Sequence, residues 1–428
     1  MDASLQPRAP AQWFGQPRGL VVLFLTEAWE KFSFYGMKAL LIYYMIRHLQ
    51  IPQADASLIY GAYAGGVYLT PIFGGVIADR WLGRRRAILI GGALMALGHF
   101  TLVWESLFFP ALVLIALGNG LFLPNLPSQV GDLYGEKDPR RGGAYNVYYA
   151  GVNLGGMLAP LVCGTLGELY GWHVGFGAAG IGMCLGLVIY LLGSRHLPPD
   201  RPRSTEPAAS APVGTATGSF VPLLLVALAV VVFRSAYEQS GNTMAVWVES
   251  GVDRSLWGFT VPMTWVQSLN SLFVLALTPF VIAGWRRAAA RGREPSSLAK
   301  MALGAAGVAL SYLALALLVA THGGAPVHML WVVAFFVIYT LGELYILPVG
   351  LGLFAKLAPR GMGATVIAAW FLASFGGNLL SGVVGRAWTT LGPTSFFVAL
   401  AGIAGLAAAA LLSLAPMLRR VEAARAAQ

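Results

Sequence analysis

GGVIADRWLGRRR, residues 74–86, decides how this chain has to be read. Asp79, Arg80, Arg84, Arg85 and Arg86 crowd into eight positions, yet apolar runs flank them: YLTPIF before, AILIGGALMALGHF after. A charged side chain costs about 3 kcal/mol or more at the centre of a bilayer. The cluster therefore belongs outside the hydrocarbon, as a turn between two crossing helices. Composition agrees. The chain is 57% hydrophobic and 11% charged, against about 25% charged in soluble domains. Its 53 glycines suit closely packed membrane helices. The reading is a polytopic, all-α membrane protein.

A crossing helix needs about 20 apolar residues. Twelve spans are predicted, at 19–47, 55–78, 86–105, 109–134, 142–169, 173–194, 219–248, 255–284, 298–320, 327–356, 362–388 and 394–416. The N-terminal 18 residues are polar and lack the short apolar core and cleavage site of a signal peptide. Residues 195–218 are rich in Pro, Ala, Ser and Thr and read as a flexible linker. The linker divides the chain into a six-helix bundle at 19–194 and another at 219–416, with tails at 1–18 and 417–428.

The basic residues orient these spans. Of the 28 Lys and Arg, seventeen fall in loops after even-numbered spans, five in the tails and three (Arg47, Arg254, Arg386) after odd-numbered spans. Positive charge marks the cytoplasmic side, so both termini are expected there. The same asymmetry explains a net charge of +10 without a nucleic-acid partner. The absence of a targeting peptide and the short loops suggest a bacterial inner membrane. The halves also echo one another. YLTPIFGGVIADRWLGRRR (68–86) is matched by LALTPFVIAGWRR (275–287), and LPNLPSQVGDLYGEKDPRRG (123–142) by LPVGLGLFAKLAPRG (347–361). Echoes half a chain apart suggest a duplicated bundle.

Other chemistry finds little support. Cys163 and Cys184 lie in apolar runs and suit neither a disulfide framework nor a metal cluster. No phosphate loop supports ATP-driven transport. The six histidines (His48, His99, His173, His196, His322, His328) are scattered and form no zinc spacing. Gly118 and Gly120 fall inside a span, where close packing explains them better than nucleotide binding. No Ser or Cys has a convincing His/Asp set for hydrolysis, so no enzyme, cofactor or metal is expected.

The charges that remain lie inside spans. TEAWEKFSFYGMK (26–38) places Glu27, Lys31 and Lys38 at i, i+4 and i+11 on one helix face, with Glu30 one position aside. Arg234, Glu238 and Glu343 are also mid-span. Singly, each can be a satisfied structural charge. Together they favour a polar cavity between the halves, where ionisable groups are tolerated.

Two resemblances follow. Residues 75–85 fit the G-x-x-x-D-R-x-x-G-R-R loop after the second helix of major facilitator transporters. That likeness assigns Gly75 a close helix approach and Asp79 a basic partner or helix cap. Arg80, Gly83, Arg84 and Arg85 complete the conformational loop. More specifically, the chain resembles the proton-dependent oligopeptide transporter (POT) family over nearly its whole length. EAWEKFSFYG (27–36) is similar to the family's E-x-x-E-R-F-x-Y-Y-G, with Lys31 for arginine and Phe34 for tyrosine. YNVYYAGVNLGG (145–156), AYEQSGN (236–242), QSLNSLF (267–273), GELYILPVGL (342–351) and AAWFLAS (368–374) resemble its segments on helices five, seven, eight, ten and eleven.

The resemblance implies proton-coupled symport of di- and tripeptides by alternating access, driven by the proton gradient and expected to work as a monomer in the lipid bilayer. It assigns the peptide ammonium to Glu343, with Asn153 and Asn270 hydrogen-bonding that end. It gives the peptide carboxylate to Lys31 and Tyr35, and side-chain space to Tyr68 and Trp370. Glu27, Glu30, Lys31 and Glu343 are the proton-coupling set, and Lys38 with Glu238 a gate salt bridge. This sequence departs from the family on helix four. GNGLFLPN (118–125) puts Leu123 where relatives carry a lysine. Arg234 stands where relatives usually carry an aromatic residue. It either restores cavity charge or simply pairs with Glu238 one turn along. A same-fold transporter of another small solute (a modified peptide, an amino-acid derivative or an anion) and a non-transporting peptide sensor are the alternatives. The linker is too short for two additional helices found in many bacterial relatives.

Overall fold

The computed structural model describes residues 12–13, 15–135, 138–200, 220–357 and 363–426. The fold is nearly all helical, with two-residue β pairings only in loops. In the first half, α1 (Arg18–Tyr43) ends in a π turn at Tyr44–His48, and α2 (Gln53–Ile77) in another at Ala78–Leu82. α3 is Arg84–Thr101, and α4 is Phe108–Phe122 with a further helix at Asn125–Asp132 beyond Pro124. α5 runs from Arg140–Ala159 through a π turn at Pro160–Gly164 to Thr165–Tyr170, and α6 is Trp172–Gly193.

In the second half, α7 is Phe220–Tyr237, a 3-10 turn at Glu238–Gly241, then Thr243–Gly251. α8 (Ser268–Ala290), α9 (Ser297–Thr321), α10 (Met329–Leu357), α11 (Gly363–Gly385) and α12 (Trp388–Ala426) follow. Among the described residues, ten helices are long and apolar enough to cross a membrane by length and composition. The protein is therefore a multi-pass membrane protein. The other two are α1, whose acids and lysines interrupt every stretch of span length, and α3, which opens on three arginines. Large apolar side chains such as Phe109, Leu117, Ile181, Leu224, Phe280, Leu317 and Leu406 are exposed on the outside, where lipid would cover them.

The same neighbours recur in each half. α1 packs on α5 and α6, α2 on α4, and α3 on α4 and α6. In the second half α7 packs on α11 and α12, α8 on α10, and α9 on α10 and α12. Between halves the principal contacts are α2 with α11 and α5 with α8. The cavity described below lies between these two pairs.

Three boundaries differ from the sequence reading. The eighth span was expected from 255, but residues 252–262 form a loop hairpin around Trp257–Gly258, and the helix starts after Pro262. The twelfth helix begins six residues early, at Trp388, breaks at Gly392 before Pro393, and continues through the expected tail to Ala426. Of the linker, residues 201–218 lie outside the described residues, as do residue 219, Lys137, Arg360 and most of the N-terminal tail.

The arginine-rich turn corrects two motif assignments. Gly75 meets only Pro124, at ordinary van der Waals distance. The close approach belongs to Gly74, where any Cβ would strike the Gly120 carbonyl. α2 and α4 are also joined there by Thr70 donating to the Ala116 carbonyl (2.7 Å) and Asn119 donating to the Val67 carbonyl (3.0 Å). Asp79 and Arg80 are exposed. Asp79 neither caps a helix nor pairs with a base among the described residues; the acids that meet this loop are Asp132, 2.6 Å from Arg84, and Asp200, which accepts from the Arg85 backbone N–H at 3.3 Å. Gly83 has φ 78°, which L side chains rarely adopt. Arg85 donates to the carbonyls of Ser194 (3.2 Å), Leu197 and Pro198 (2.9 Å each). The turn thus fastens the ends of α4 and α6.

Candidate functional site

The two halves are tied at the face opposite the α6–α7 connection. Lys38 on α1 reaches Glu238 on α7 at 3.3 Å, so the expected pair forms. The Tyr43 hydroxyl donates to the Ala245 carbonyl (2.8 Å), Ser57 donates to Asn242 (2.9 Å), and Arg47 meets Glu249 at 2.5 Å. Glu168 at the end of α5 accepts from the Met263 and Thr264 N–H groups (3.0 and 2.9 Å) and from the Thr264 hydroxyl (2.6 Å). Trp265 donates to Thr165 at 2.7 Å.

Beneath this seal lies a cavity of about 200 Å³. The first half contributes Tyr35 and Lys38 from α1, Tyr60 and Tyr68 from α2, and Tyr149, Asn153 and Gly156 from α5. The second contributes Arg234, Tyr237 and Glu238 from α7, Gln267, Asn270 and Ser271 around the start of α8, and Phe336, Glu343 and Leu347 from α10. Helical spacing explains the choice. Arg234 and Glu238 are one turn apart, as are Tyr149 and Asn153, so each pair faces the same way.

The charges are arranged in two groups. Glu238 is shared between Lys38 and Arg234, the latter 2.7 Å away. That group holds two cations and one acid. Arg234 also lies over the Tyr68 ring, 5.0 Å from its centroid, and Lys38 over Tyr60 at 5.4 Å. Arg234 thus pairs within its helix and also lines the cavity. Room for it comes from Gly377 on α11, where a Cβ would lie 2.5 Å from the Arg234 Cβ. The second group is Glu343, which accepts from Asn270 at 2.6 Å, while Asn270 also reaches Thr340 at 3.2 Å. Asn153 donates to the Tyr149 carbonyl (3.0 Å).

Lys31 sits away from this wall. It is 3.4 Å from Glu27 and 2.6 Å from Glu30, the latter an ion pair by distance without hydrogen-bond alignment. Glu27 and Glu30 are at most 1% exposed and Lys31 8%. Two acids and one base thus share a site taken out of water. One bound proton would balance the charge. Lys31 is one turn before Tyr35, which is on the wall, so the triad and cavity share an edge of α1. Trp370 is likewise off the wall, packed against Phe354 with ring centroids 5.3 Å apart. Leu123 does not line the cavity either.

The structure brings in residues to which the sequence reading gave no site role: Tyr60, Tyr149, Tyr237, Gln267, Thr340 and Gly377. An aromatic or small residue inside an apolar span reads as core packing, and nothing local separates the two uses. His48 and His173, 125 positions apart, come together with Glu105 because the ends of α1 and α6 and the turn before α4 share one face.

The sequence profile described as the POT family matches residues 85–217 and 217–391. The chain belongs to the POT family. Among its relatives are a di-/tripeptide transporter of Lactococcus lactis subsp. cremoris (34% identical; 92% of this chain, 94% of the relative) and the peptide transporter YePEPT of Yersinia enterocolitica (34%; 90% of each). An uncharacterised Bacillus subtilis transporter, YclF, is 32% identical over 95% of both chains. Similar solved structures include a mutant of a peptide transporter POT in complex with alafosfalin, with TM-score 0.88 and 31% identity over 96% of both chains. A POT family transporter in complex with 5-aminolevulinic acid superposes with TM-score 0.86 and 28% identity, over 95% of this chain and 97% of that one.

Proposed function

We propose that this POT family member is a proton-coupled symporter that imports di- and tripeptides by alternating access. The observation that carries this reading is the cavity between the halves, with Glu343 and Asn270 in one group and Lys38, Arg234 and Glu238 in another. A short peptide is a zwitterion whose end charges are fixed while its side chains vary. An acid suits its ammonium end, and a group with one surplus cation suits its carboxylate. Asn153 on the same wall adds polar contacts. Side-chain tolerance follows when recognition rests on the termini.

Coupling follows from the charge imbalance beside the cavity. With both acids ionised, Glu27, Glu30 and Lys31 carry one net negative charge in a dry site. A proton taken up there removes the excess and loosens the hold on Lys31. Freed, Lys31 can turn towards Tyr35 and take part in binding the carboxylate, so proton and peptide are taken up together. Glu343 is the second coupling group, since an ammonium and a proton compete for the same carboxylate. The Lys38–Glu238 pair and the Glu168 contacts form the outer gate, which must part for peptide to enter from that side.

In this reading all twelve long helices cross the membrane, as two six-helix bundles at 19–194 and 219–416 joined by the 195–218 linker. α1 is tolerated because its charges face the cavity and one another, and α3 because its arginines lie at its end. The basic loops set both termini in the cytoplasm. The protein acts as a monomer in a bacterial inner membrane without a cofactor.

Uptake of a fluorescent dipeptide by protein in liposomes under an imposed proton gradient tests the proposal. Wild type should accumulate dipeptide. Glu343→Gln should lose proton-driven accumulation and keep exchange of peptide across the membrane. Full accumulation by the variant would remove Glu343 from coupling. A second reading is favoured by Leu123 and Arg234: the same machinery carrying a small amino-acid derivative. 5-Aminolevulinic acid, bound by a structural relative, also has an amine and a carboxylate at its ends. Competition by such compounds and by a panel of dipeptides separates the two.

A further inference from the structure

We propose that His48, Glu105 and His173 form a binding site for a divalent transition-metal ion of the zinc class, separate from the transport cavity. Among the described residues, one ligand atom from each of the three lies within 4.8 Å of those of the other two. Each comes from a different element: His48 closes the π turn after α1, Glu105 opens the 3-10 turn before α4, and His173 is the second residue of α6. His48 Nε2 is already 2.6 Å from a Glu105 oxygen.

The rings of His48 and His173 have centroids 5.2 Å apart and stand perpendicular. Tyr44 orients both. It stacks on His48 at 5.0 Å, meets His173 edge-on at 5.7 Å, and is itself fully buried. Nδ1 of His173 is buried without a hydrogen-bond partner. Among the described residues, no hydrogen bond holds this nitrogen to a competing role.

Two imidazoles and one carboxylate are the donor set of a three-ligand zinc site with one position left for water. At zinc–ligand lengths near 2.0–2.2 Å, ligand atoms around a tetrahedral ion lie about 3.3 Å apart. Closing on an ion to that spacing would take side-chain rotation, for which His48 and Glu105 have room, their side chains being 33% and 58% exposed. Their exposure also leaves an entry path. Nitrogen donors select zinc, copper or nickel over magnesium and calcium, which require oxygen ligands. All three residues lie in the first half, so a bound ion would fasten the ends of α1, α4 and α6 to one another. It would leave the contacts between halves free to part.

Calorimetric titration of zinc chloride into the purified full-length protein, with any polyhistidine tag removed, tests the site. One ion per chain should bind, raising Tm by several degrees, while magnesium does neither. His173→Gln and Glu105→Gln should each weaken zinc binding tenfold or more and retain dipeptide uptake. A wild type that binds no zinc up to about 1 mM overturns the proposal, as does unchanged binding in both variants. The wild-type titration decides even where a variant fails to fold.

Discussion

Arg234 lines the cavity and pairs with Glu238, and in the proposed reading it helps hold the substrate. With leucine at position 123, the cavity wall draws its positive charge from α1 and α7, namely Lys38 and Arg234. Breaking a buried ion pair by removing one partner costs about 3–5 kcal/mol when the remaining charge is left alone. Glu238 would keep Lys38 after Arg234→Ala, so the loss of stability should be smaller, on the order of 1 kcal/mol. The larger effect should fall on transport: apparent dipeptide affinity reduced tenfold or more, with Arg234→Lys intermediate. Competition of unlabelled against fluorescent dipeptide measures this. Wild-type uptake and wild-type pH dependence in Arg234→Ala would confine Arg234 to a structural pair. The sequence marked Arg234, Glu238 and Glu343 at once, because charges inside apolar spans demand a reason. It gave no hint of Gly377, whose importance lies in the arginine it faces across a helix interface.

At the scale of elements, the arginine-rich turn separates two glycines that a motif alone confuses. Overpacking a tight contact costs about 1–3 kcal/mol, occasionally more. Gly74→Val should therefore lower thermal stability by several degrees, because the Gly120 carbonyl has nowhere to go. Gly75→Ala should leave stability unchanged, since the neighbouring Pro124 is at ordinary contact distance. Melting of the two variants in detergent, followed by loss of the monodisperse peak, distinguishes them. Most helices were legible as apolar runs of span length, whereas α1 and α3 carry charges within theirs. Helix ends were less legible: the start of α8 depends on Pro262 and the hairpin before it, and α12 continues past its apolar stretch to Ala426.

For the whole molecule, the question is which contacts hold one face shut. Glu168 accepts three hydrogen bonds from Met263 and Thr264 across the α5–α8 boundary. Losing them in Glu168→Ala should shift the population towards opening at that face. In a background with Cys163→Ala and Cys184→Ala, a Ser240→Cys reporter on the cavity wall should react faster with an impermeant thiol reagent added from that side. Equal labelling rates with and without Glu168 would mean that Lys38–Glu238, Arg47–Glu249 and the apolar contacts hold the face by themselves.

The sequence by itself determined the membrane class, the succession of helices and the family, because apolar length, the placement of charge and ordered motifs are local properties of the chain. It also exposed the departure at Leu123. Tertiary structure decided which charges face the cavity. Lys31 turned to Glu27 and Glu30, Arg234 and Lys38 took different oxygens of Glu238, and Trp370 packed against Phe354. It also gathered His48, Glu105 and His173 from three helix ends. Such pairings depend on distances between helices far apart in sequence, which spacing along a single helix does not encode.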